Sequence, residues 1–406
     1  MRLIHTSDWH LGQNFYTKSR AAEHSAFLDW LLETVTQQQI DAIIVAGDIF
    51  DTGAPPSYAR ECYNRFVVNL RQTGCPLYIL GGNHDGVATL NESRDLLACL
   101  NTHVIASARQ PEGEPCALEI PQRDGTPGAI LCPIPFLRPR DILHSQAGQS
   151  AREKHSDLLD AITGHYQHCY QAAVALRGER PLPIIMTGHL TTVGATTSDA
   201  VRDIYIGTLD AFPASHFPPA DYIALGHIHR AQAVGGSQHI WYSGAPIALS
   251  FDETGPAKSV NLVTFEQGKL AQVTPLAVPV TQPLATLRGT MAQLTDRLSH
   301  WQSDPALPPC WLDIEINSSD YLHDVQRQIR EITAPLPVEV LLVRRSREQR
   351  QQVIASQHSE TLSELSVSDV FERRLDAAQP DDARRARLRT LFACALESLN
   401  QQEDPA

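Results

Sequence analysis

The stretch LGGNHDG, residues 80–86, begins at the last residue of the apolar run PLYIL, residues 76–80. Glycine beside Asn83 or Asp85 would suit an ordinary surface turn, because these residue types tolerate turn conformations. Such a turn has no need of the histidine that stands between them, His84. The stretch therefore predicts either a plain glycine turn or part of a polar site at the end of a strand.

Short apolar segments alternate with helical segments through the first part of the chain. Strands are predicted over residues 2–6, 41–47, 76–81, 128–134, 182–188 and 221–226. Between the first two, apolar residues at helical spacing predict a helix within residues 20–39. Residues 239–244 and 259–274 are predicted to be antiparallel strands, the latter with a Gln-Gly turn. This alternation favours an α/β sandwich with mixed sheets.

Two smaller units follow the predicted sandwich, which we assign to residues 1–277. Residues 278–346 offer a helix, a strand, a helix and a strand, and they predict a small α/β cap domain. Residues 347–406 contain two amphipathic helices, at 367–378 and 381–402, on either side of Pro380. These helices either pack on the body of the protein itself or dock on the helices of a partner.

Composition limits the classes of protein that fit. With 42% hydrophobic and 19% charged residues the chain is expected to fold into a globular protein. No apolar run has the length of a membrane span, and eight scattered cysteines without a CxxC pair predict reduced thiols in the cytoplasm. The net charge of −13 argues weakly against a nucleic-acid partner, unless metal ions or arginines attract phosphate locally.

Residues able to bind metals cluster at the ends of the predicted strands. In open α/β sheets ligands bind at the carboxyl ends of strands, so these side chains are expected to converge. They are Asp8 and His10 after the first strand, Asp48 and Asp51 after the second, Asn83, His84 and Asp85 after the third, His189 after the fifth, and His227 and His229 after the sixth.

Each of these residues has an ordinary alternative when it is considered alone. Asp8 could cap a turn, Asn83 could occupy a left-handed turn, and a lone histidine such as His189 is more often a buried or exposed side chain than a ligand. His227 and His229 share one face of an extended strand, yet by themselves they are a weak metal signal. The ordered series DxH, GDxxD, GNHD, GH and GHxH is what favours a metal site.

The chemistry of the donors narrows the choice of metal. Carboxylates, imidazoles and one amide oxygen, without thiolates, suit manganese, iron or zinc better than a structural zinc site. The donors exceed the needs of one ion, so two divalent ions are predicted, with Asp48 best placed to bridge them. Two ions about 3.5–4 Å apart can clamp a phosphoryl group. Asp8 and Asp48 compensate only part of the charge of two such ions, and the remaining positive charge matches a phosphodiester.

The order of these motifs resembles that of the calcineurin-like metallophosphoesterases. Within that superfamily, MRLIHTSDWHLGQNF (1–15), FLRPRDI (136–142), GHLTTVGA (188–195) and ALGHIHRAQ (224–232) are similar to the bacterial SbcD family of nuclease subunits. The resemblance extends over essentially the whole chain, including LSELSVSDVFERRL (362–375) in the tail. It implies a calcineurin-like sandwich of mixed β-sheets flanked by helices.

The resemblance also implies an activity and partners. One Mn²⁺ would be bound by Asp8, His10, Asp48 and His229, and a second by Asp48, Asn83, His189 and His227. The family cleaves DNA together with SbcC, a coiled-coil ATPase, as an ATP-dependent double-strand exonuclease and single-strand endonuclease in recombination, repair and replication. By the same resemblance the tail helices would dock SbcC, and the cap would arrange DNA at the site. The resemblance also implies a homodimer, and no membrane partner is expected.

Three residues beside the ligands are expected to support the chemistry. The family residue that matches His84 binds no metal, and we expect His84 to protonate the leaving oxygen or to stabilise the transition state, a contribution of about 10²–10⁴-fold. Asp85 is expected to orient His84, although a turn-capping role fits it equally well. Asp51 stands where some relatives carry histidine, and its role stays open. The alternative enzyme is a phosphomonoesterase or nucleotidase for small substrates.

Overall fold

The computed structural model describes residues 1–108, 115–143, 150–197, 211–317 and 322–345, together with residues 371, 375, 384–385 and 387–392. The strands are β1 (Arg2–Thr6), β2 (Asn14–Phe15), β3 (Lys18–Ser19), β4 (Ala42–Val45), β5 (Leu77–Leu80), β6 (Thr102–Ile105), β7 (Leu118–Pro121), β8 (Pro127–Cys132), β9 (Ile184–His189), β10 (Tyr222–Gly226), β11 (Gln232–Ala233), β12 (Ile240–Tyr242), β13 (Ser259–Glu266), β14 (Lys269–Ala277), β15 (Leu284–Gly289), β16 (Cys310–Ile316) and β17 (Val338–Arg345). The helices are α1 (Ala21–Gln37), α2 (Ser57–Arg71), α3 (Val87–Asn91), α4 (Arg94–Cys99), α5 (Pro139–Ile142), α6 (Ala151–Arg177), α7 (Met291–Ser299) and α8 (Leu322–Thr333). Among these residues, no helix has the combined length and apolar character that crossing a membrane requires.

Two six-stranded mixed sheets form the body of the protein. The first has the order β14-β13-β1-β4-β5-β6, in which β1, β4, β5 and β6 are parallel and β13 and β14 are antiparallel to their neighbours. The second has the order β11-β12-β10-β9-β8-β7, with four central parallel strands between antiparallel edges. The parallel strands of both sheets position the residues that follow them.

The sheets pack face to face because their strands are apolar on both sides. In β1, Leu3 points into the core between the two sheets, and its neighbour Ile4 points to the core under the helices. Ile44 and Ile43 alternate in the same way in β4. Helices α1 and α2 cover the outer face of the first sheet, and α6 covers that of the second. The result is a four-layer sandwich of helix, sheet, sheet and helix.

The predicted elements of the body agree with this architecture, with one correction. The six predicted strands and the first helix are confirmed by β1, β4, β5, β8, β9, β10 and α1. The hairpin of β13 and β14, with its Gln267–Gly268 turn, is antiparallel as predicted. The prediction for residues 239–244 is wrong in part, since β12 pairs parallel with β10 and antiparallel only with β11. Tertiary pairing, rather than the local sequence, decides this direction.

A smaller unit, called the cap below, follows the sandwich. Strands β15, β16 and β17 form a parallel sheet, and α7 and α8 connect successive strands and cover their apolar side. Thr290 and Gln293 form a reciprocal capping box at the start of α7. The predicted helices and strands of this unit are confirmed, and β15 is an additional strand.

An aromatic cluster joins the cap to the sandwich. It consists of Phe15 and Phe251 from the sandwich and Trp311 from β16, all buried. The ring of Phe15 stacks on that of Trp311 with centroids 5.7 Å apart, and it meets the ring of Phe251 edge-on at 4.9 Å. The ion pair between Lys18 and Glu339, 2.5 Å from nitrogen to oxygen, joins the same two units.

Most of the predicted C-terminal helical segment lies outside the described residues. Of the residues that are described, Phe371 and Phe392 stack with ring centroids 3.8 Å apart, and Leu375 is buried. Leu388 and Leu391 are 37% and 59% exposed. These two leucines present apolar surface to solvent on the second predicted helix.

Candidate metal centre

The polar residues that follow five parallel strands meet at one edge of the sandwich. Three groups of side chains each place their ligand atoms within 4.8 Å of one another. The groups are Asp8, His10 and His229; Asp48, His189 and His227; and His10, Asp48 and His84. Because His10 and Asp48 each belong to two groups, the three form one continuous cluster.

Asp48 lies at the middle of this cluster. Its Oδ2 is 3.6 Å from Nε2 of His10 and 3.3 Å from Nε2 of His189, and its Oδ1 accepts the backbone N–H of His84 at 2.9 Å. Burial alone would raise the pKa of this carboxyl group, but His189 and His10 hold that pKa below its ordinary value. Burial would lower the pKa of His189, whereas Asp48 raises it to about 9. Asp48 therefore faces both halves of the cluster as a carboxylate.

Asn83 completes the set of seven predicted ligands. Its Oδ1 lies 2.8 Å from Nε2 of His189 and 3.2 Å from Nδ1 of His227. The backbone N–H of His227 donates to the carboxylate of Asp8 at 2.9 Å, and the hydroxyl of Ser7 donates to the same carboxylate at 2.5 Å. Residues from both sheets are thus held together by direct contacts.

Three of the histidines are fixed through their Nδ1 atoms. His10 contacts Asp51 at 3.1 Å, His189 contacts the carbonyl of Ala46 at 2.8 Å, and His229 contacts Glu253 at 2.9 Å. In the neutral ring that metal binding requires, an acceptor at Nδ1 fixes the proton there and leaves the electron pair on Nε2. This is the usual arrangement of histidines that bind a metal through Nε2.

Buried nitrogen atoms without partners supply the test of whether the cluster fits metal ions. Nε2 of His10 and Nε2 of His227 are both buried and have no hydrogen-bond partner among the described residues. An unsatisfied buried polar atom is costly, and a cation bound beside Asp48 would satisfy Nε2 of His10. His227 turns its Nδ1 toward Asn83, so Nδ1 is the nitrogen that it offers to an ion in the cluster. With imidazole, carboxylate and amide donors around them, the residues present fit divalent ions.

The backbone of the cluster is held in the left-handed region at four of these positions. The φ angles are +54° at Asp8, +45° at His10, +52° at Asp48 and +90° at His227. Residues other than glycine rarely adopt this conformation, and the surrounding structure must compensate for its cost. Such strain is concentrated at functional sites, since it aims side chains where regular strands would not.

Gly82 allows the loops of the cluster to approach closely. A Cβ atom on Gly82 would overlap both the backbone nitrogen and the carboxylate of Asp48. The second glycine of LGGNHDG, Gly82, is therefore required for steric reasons that would not apply in a surface turn.

His84 lies at the half-buried rim of the cluster, next to Asp85 in the chain. Its Nδ1 contacts the backbone carbonyl of Asp51 at 2.8 Å, and its ring meets that of His10 edge-on at 4.7 Å. The contacts of Asp85 favour the turn-capping alternative over the predicted role of orienting His84. The carboxylate of Asp85 accepts the backbone N–H groups of Gly82, Ile49 and Phe50, so it holds two loops together, which agrees with the turn-capping alternative.

Two supporting residues were missed by sequence reasoning. Glu253 comes from a 3-10 turn at Phe251–Glu253, remote from every recognised motif. Arg138 lies within the FLRPRDI segment, and its guanidinium donates to the carbonyls of Gly82 and Asp85 at 3.0 and 2.9 Å. That segment is a signal that could have directed attention to Arg138. Nothing in the local sequence around Glu253 signals its contact, which only the fold creates.

Comparison with known proteins identifies the class to which this fold and cluster belong. A family model described as calcineurin-like phosphoesterase matches residues 1–231, more than half of the chain. The protein is a calcineurin-like metallophosphoesterase, with the α/β fold predicted from its sequence. A second model, described as type 5 capsule protein repressor C-terminal domain, matches residues 280–379.

Curated relatives identify the particular family. The SbcD subunit of the SbcCD nuclease of Escherichia coli K12 is 65% identical over 98% of this chain and 98% of its own length. The proteins of the same name from Rhodobacter capsulatus and Bacillus subtilis are 33% and 31% identical, over 98% and 79% of this chain and 94% and 80% of their own lengths. The chain belongs to the SbcD family of nuclease subunits.

Proposed function

We propose that this protein is a metal-dependent nuclease that hydrolyses DNA phosphodiester bonds in a complex with SbcC. The names of the relatives, SbcD subunits of the SbcCD nuclease, support the activity and the partner. The observation that carries the proposal is the convergence of seven donor residues in one cluster, in which the buried Nε2 of His10 has no hydrogen-bond partner among the described residues. By the same reasoning the protein acts in recombination, repair and replication of DNA in the cytoplasm, at the nucleoid.

The donor cluster divides into two sets that share one carboxylate. The first set is Asp8, His10, Asp48 and His229, and the second is Asp48, Asn83, His189 and His227. Two Mn²⁺ ions bound there would polarise the phosphoryl oxygens and activate water near neutral pH. Asp48 joins the two sets, because its carboxylate lies close to His10 of the first and to His189 of the second. Within the second set, Asn83 contacts His189 directly.

His84 and its neighbours are proposed to serve the leaving group. Since Nδ1 of His84 contacts the carbonyl of Asp51, its Nε2 is the nitrogen that would meet the substrate at the half-buried rim. From there it protonates the leaving oxygen or stabilises charge on the phosphoryl group. Asp51 supports this arrangement twice, with its carbonyl at His84 and its carboxylate at His10.

The remaining parts of the chain are assigned to substrate and partner. We assign residues 1–277 to the nuclease domain, 278–346 to the cap that arranges DNA, and 347–406 to the linker and helices that dock SbcC. The exposed Leu388 and Leu391 support docking through the second tail helix. A homodimer is proposed from the family resemblance.

Substrate preference tests this function. The chain would be purified with Mn²⁺, with and without SbcC, and assayed on end-labelled duplex DNA, hairpin DNA and p-nitrophenyl phosphate. We expect cleavage of DNA that EDTA abolishes and that SbcC with ATP extends to duplex ends. Efficient hydrolysis of p-nitrophenyl phosphate, with DNA left intact under all conditions, would instead establish the phosphomonoesterase alternative.

A further inference from the structure

The histidine at the end of the GHxH motif is held by a carboxylate from another part of the chain. Nδ1 of His229 lies 2.9 Å from Oε1 of Glu253, and both side chains are buried. Because the carboxylate accepts a hydrogen bond from the N–H at Nδ1, Nε2 is the nitrogen that His229 directs toward Asp8 and His10. Glu253 thereby determines both the tautomer and the ring orientation of this proposed ligand.

Glu253 is itself held firmly on its other side. Its Oε2 accepts from Nζ of Lys258 at 2.5 Å and from the backbone N–H of Leu249 at 3.1 Å. Nζ of Lys258 also donates to the carbonyl of His229 at 3.0 Å, which closes a ring of contacts around the histidine. A buried carboxylate with this many donors has little freedom to move.

The turn that carries Glu253 rests against the cap. Phe251, two residues earlier in the same 3-10 turn, belongs to the aromatic cluster with Phe15 and Trp311. The carbonyl of Phe251 also accepts from Oγ1 of Thr286 in β15 at 3.4 Å. The cap therefore contacts one end of a three-residue turn whose other end contacts His229.

We propose that Glu253 is the positioning residue for His229, and that packing of the cap on Phe251 keeps Glu253 in place. The inference rests on the proposed function and its two metal sites. The affinity for the ion bound by Asp8, His10 and His229 then depends on the cap. The affinity for the ion bound by Asn83, His189 and His227 does not. The position of the cap and occupancy of one metal site are thus coupled through a single short turn.

The first arm of the test titrates metal-stripped full-length protein with Mn²⁺. Calorimetry and electron paramagnetic resonance measure the affinity for each ion. Wild type is expected to bind two ions. Glu253→Ala should weaken one of them by about 10–100-fold, the loss typical when a partner of a metal-binding histidine is removed. Glu253→Gln keeps an acceptor at the same reach and should recover part of this loss. Asp252→Asn, a charge change at the exposed neighbour, is the matched control and should bind as wild type.

The second arm changes the cap contact. Trp311→Leu removes the ring that stacks on Phe15, and we expect it to weaken the same ion as Glu253→Ala does. Leu312→Ala is the matched control, since Leu312 is fully buried on the opposite face of the same strand in the core of the cap. It should lower the melting temperature without changing either affinity for Mn²⁺.

The outcomes separate the two parts of the inference from each other and from the proposed function. If Glu253→Ala binds both Mn²⁺ ions with the affinities of wild type, Glu253 does not position His229. Equal weakening by Trp311→Leu and Leu312→Ala would overturn the coupling, because loss of cap stability alone would then explain it. Fewer than two ions in wild type would contradict the proposed function itself. Circular dichroism confirms that each variant is folded.

Discussion

Gly82 lies between the strand that ends at Leu80 and the proposed ligand Asn83. At the position where other residues carry a Cβ atom, there is room only for the hydrogen atom of glycine. The backbone nitrogen of Asp48 and its carboxylate occupy the position that a Cβ atom would take. Rotation of a side chain cannot relieve an overlap with backbone, so any larger residue must displace the loop that carries Asp48. The absence of a side chain at Gly82 is therefore a requirement for the observed position of Asp48.

A single methyl group at Gly82 is expected to disturb the metal centre. Gly82→Ala should lower the affinity for Mn²⁺ by about 10–100-fold, because it displaces Asp48. The matched control is Gly164→Ala in α6, where a Cβ atom would meet nothing within 4 Å. The control should keep the affinity of wild type and gain about 0.5–1 kcal/mol of stability. Equal Mn²⁺ affinities in Gly82→Ala and wild type, by calorimetry, would contradict this account.

The sequence predicts the proposed metal-binding residues better than it predicts the residues that hold them in place. Asp48, Asn83 and His189 are visible in the sequence because they follow apolar strands in recognisable motifs. Glu253 is not, because only tertiary structure brings it to His229. The contacts of Asp85 were not evident for the same reason: two of its donors come from Ile49 and Phe50, in a loop that the local sequence does not reveal.

Strand β1 shows what burial between two sheets does to a titratable residue. His5 is fully buried, with Nδ1 2.8 Å from the hydroxyl of Tyr222 and Nε2 3.1 Å from the carbonyl of Leu225. Burial lowers the pKa of His5 to about 3, and the contact with Leu225 offsets this only partly. The imidazole is therefore neutral in the folded protein and joins the two sheets as a hydrogen-bonding group.

The burial of His5 should make the stability of the fold depend on pH. Below an ordinary histidine pKa of about 6.5, His5 is protonated in the unfolded chain but stays neutral in the folded protein. The contribution of His5 to the free energy of unfolding is therefore unaffected above this pH and becomes steadily less favourable as the pH falls toward 3. Between about pH 7.5 and about pH 5.5, wild type should lose about 1.4 kcal/mol more free energy of unfolding than His5→Gln. Urea titrations at both pH values measure this difference. Identical losses in the two proteins would show that His5 is protonated when folded.

Elements are predictable here where periodicity and burial agree. The central strands are apolar on both faces and flanked by turn residues, which makes β1, β4, β5 and β10 evident. The edge strands β7 and β11 are short and partly exposed, so their composition resembles that of loops. The direction of β12 depends on its neighbour across the sheet, which a local pattern does not encode.

The whole molecule is strongly acidic, with a net charge of −13, and nevertheless belongs to a nuclease family. Attraction to phosphate must then be local, at the metal centre. Net charge describes long-range association, whereas a cluster of cations acts over a few ångströms and is screened less. The net charge argued weakly against a nucleic-acid partner, whereas the ordered motifs indicated the metallophosphoesterase family that the comparisons show.

The tail provides a test at the scale of the assembly. Leu388→Glu combined with Leu391→Glu places charges on two exposed apolar positions, and we expect co-purification with SbcC to be lost while the Mn²⁺ content stays unchanged. Arg387→Glu, at an exposed neighbouring position, is the control for added negative charge and should retain SbcC. Retention of SbcC by the double variant would favour packing of this helix on the protein's own body.

The most direct test of the account compares two variants of the metal centre by Mn²⁺ content and cleavage of end-labelled DNA. His84→Ala should keep two Mn²⁺ ions per chain while cleavage falls by about 10²–10⁴-fold, because the proposed role of His84 is in the chemistry and not in metal binding. Asp48→Ala should lose both metal and cleavage, because its carboxylate lies close to both proposed sets of donors. Full metal content in Asp48→Ala, or undiminished cleavage by His84→Ala, would contradict the account.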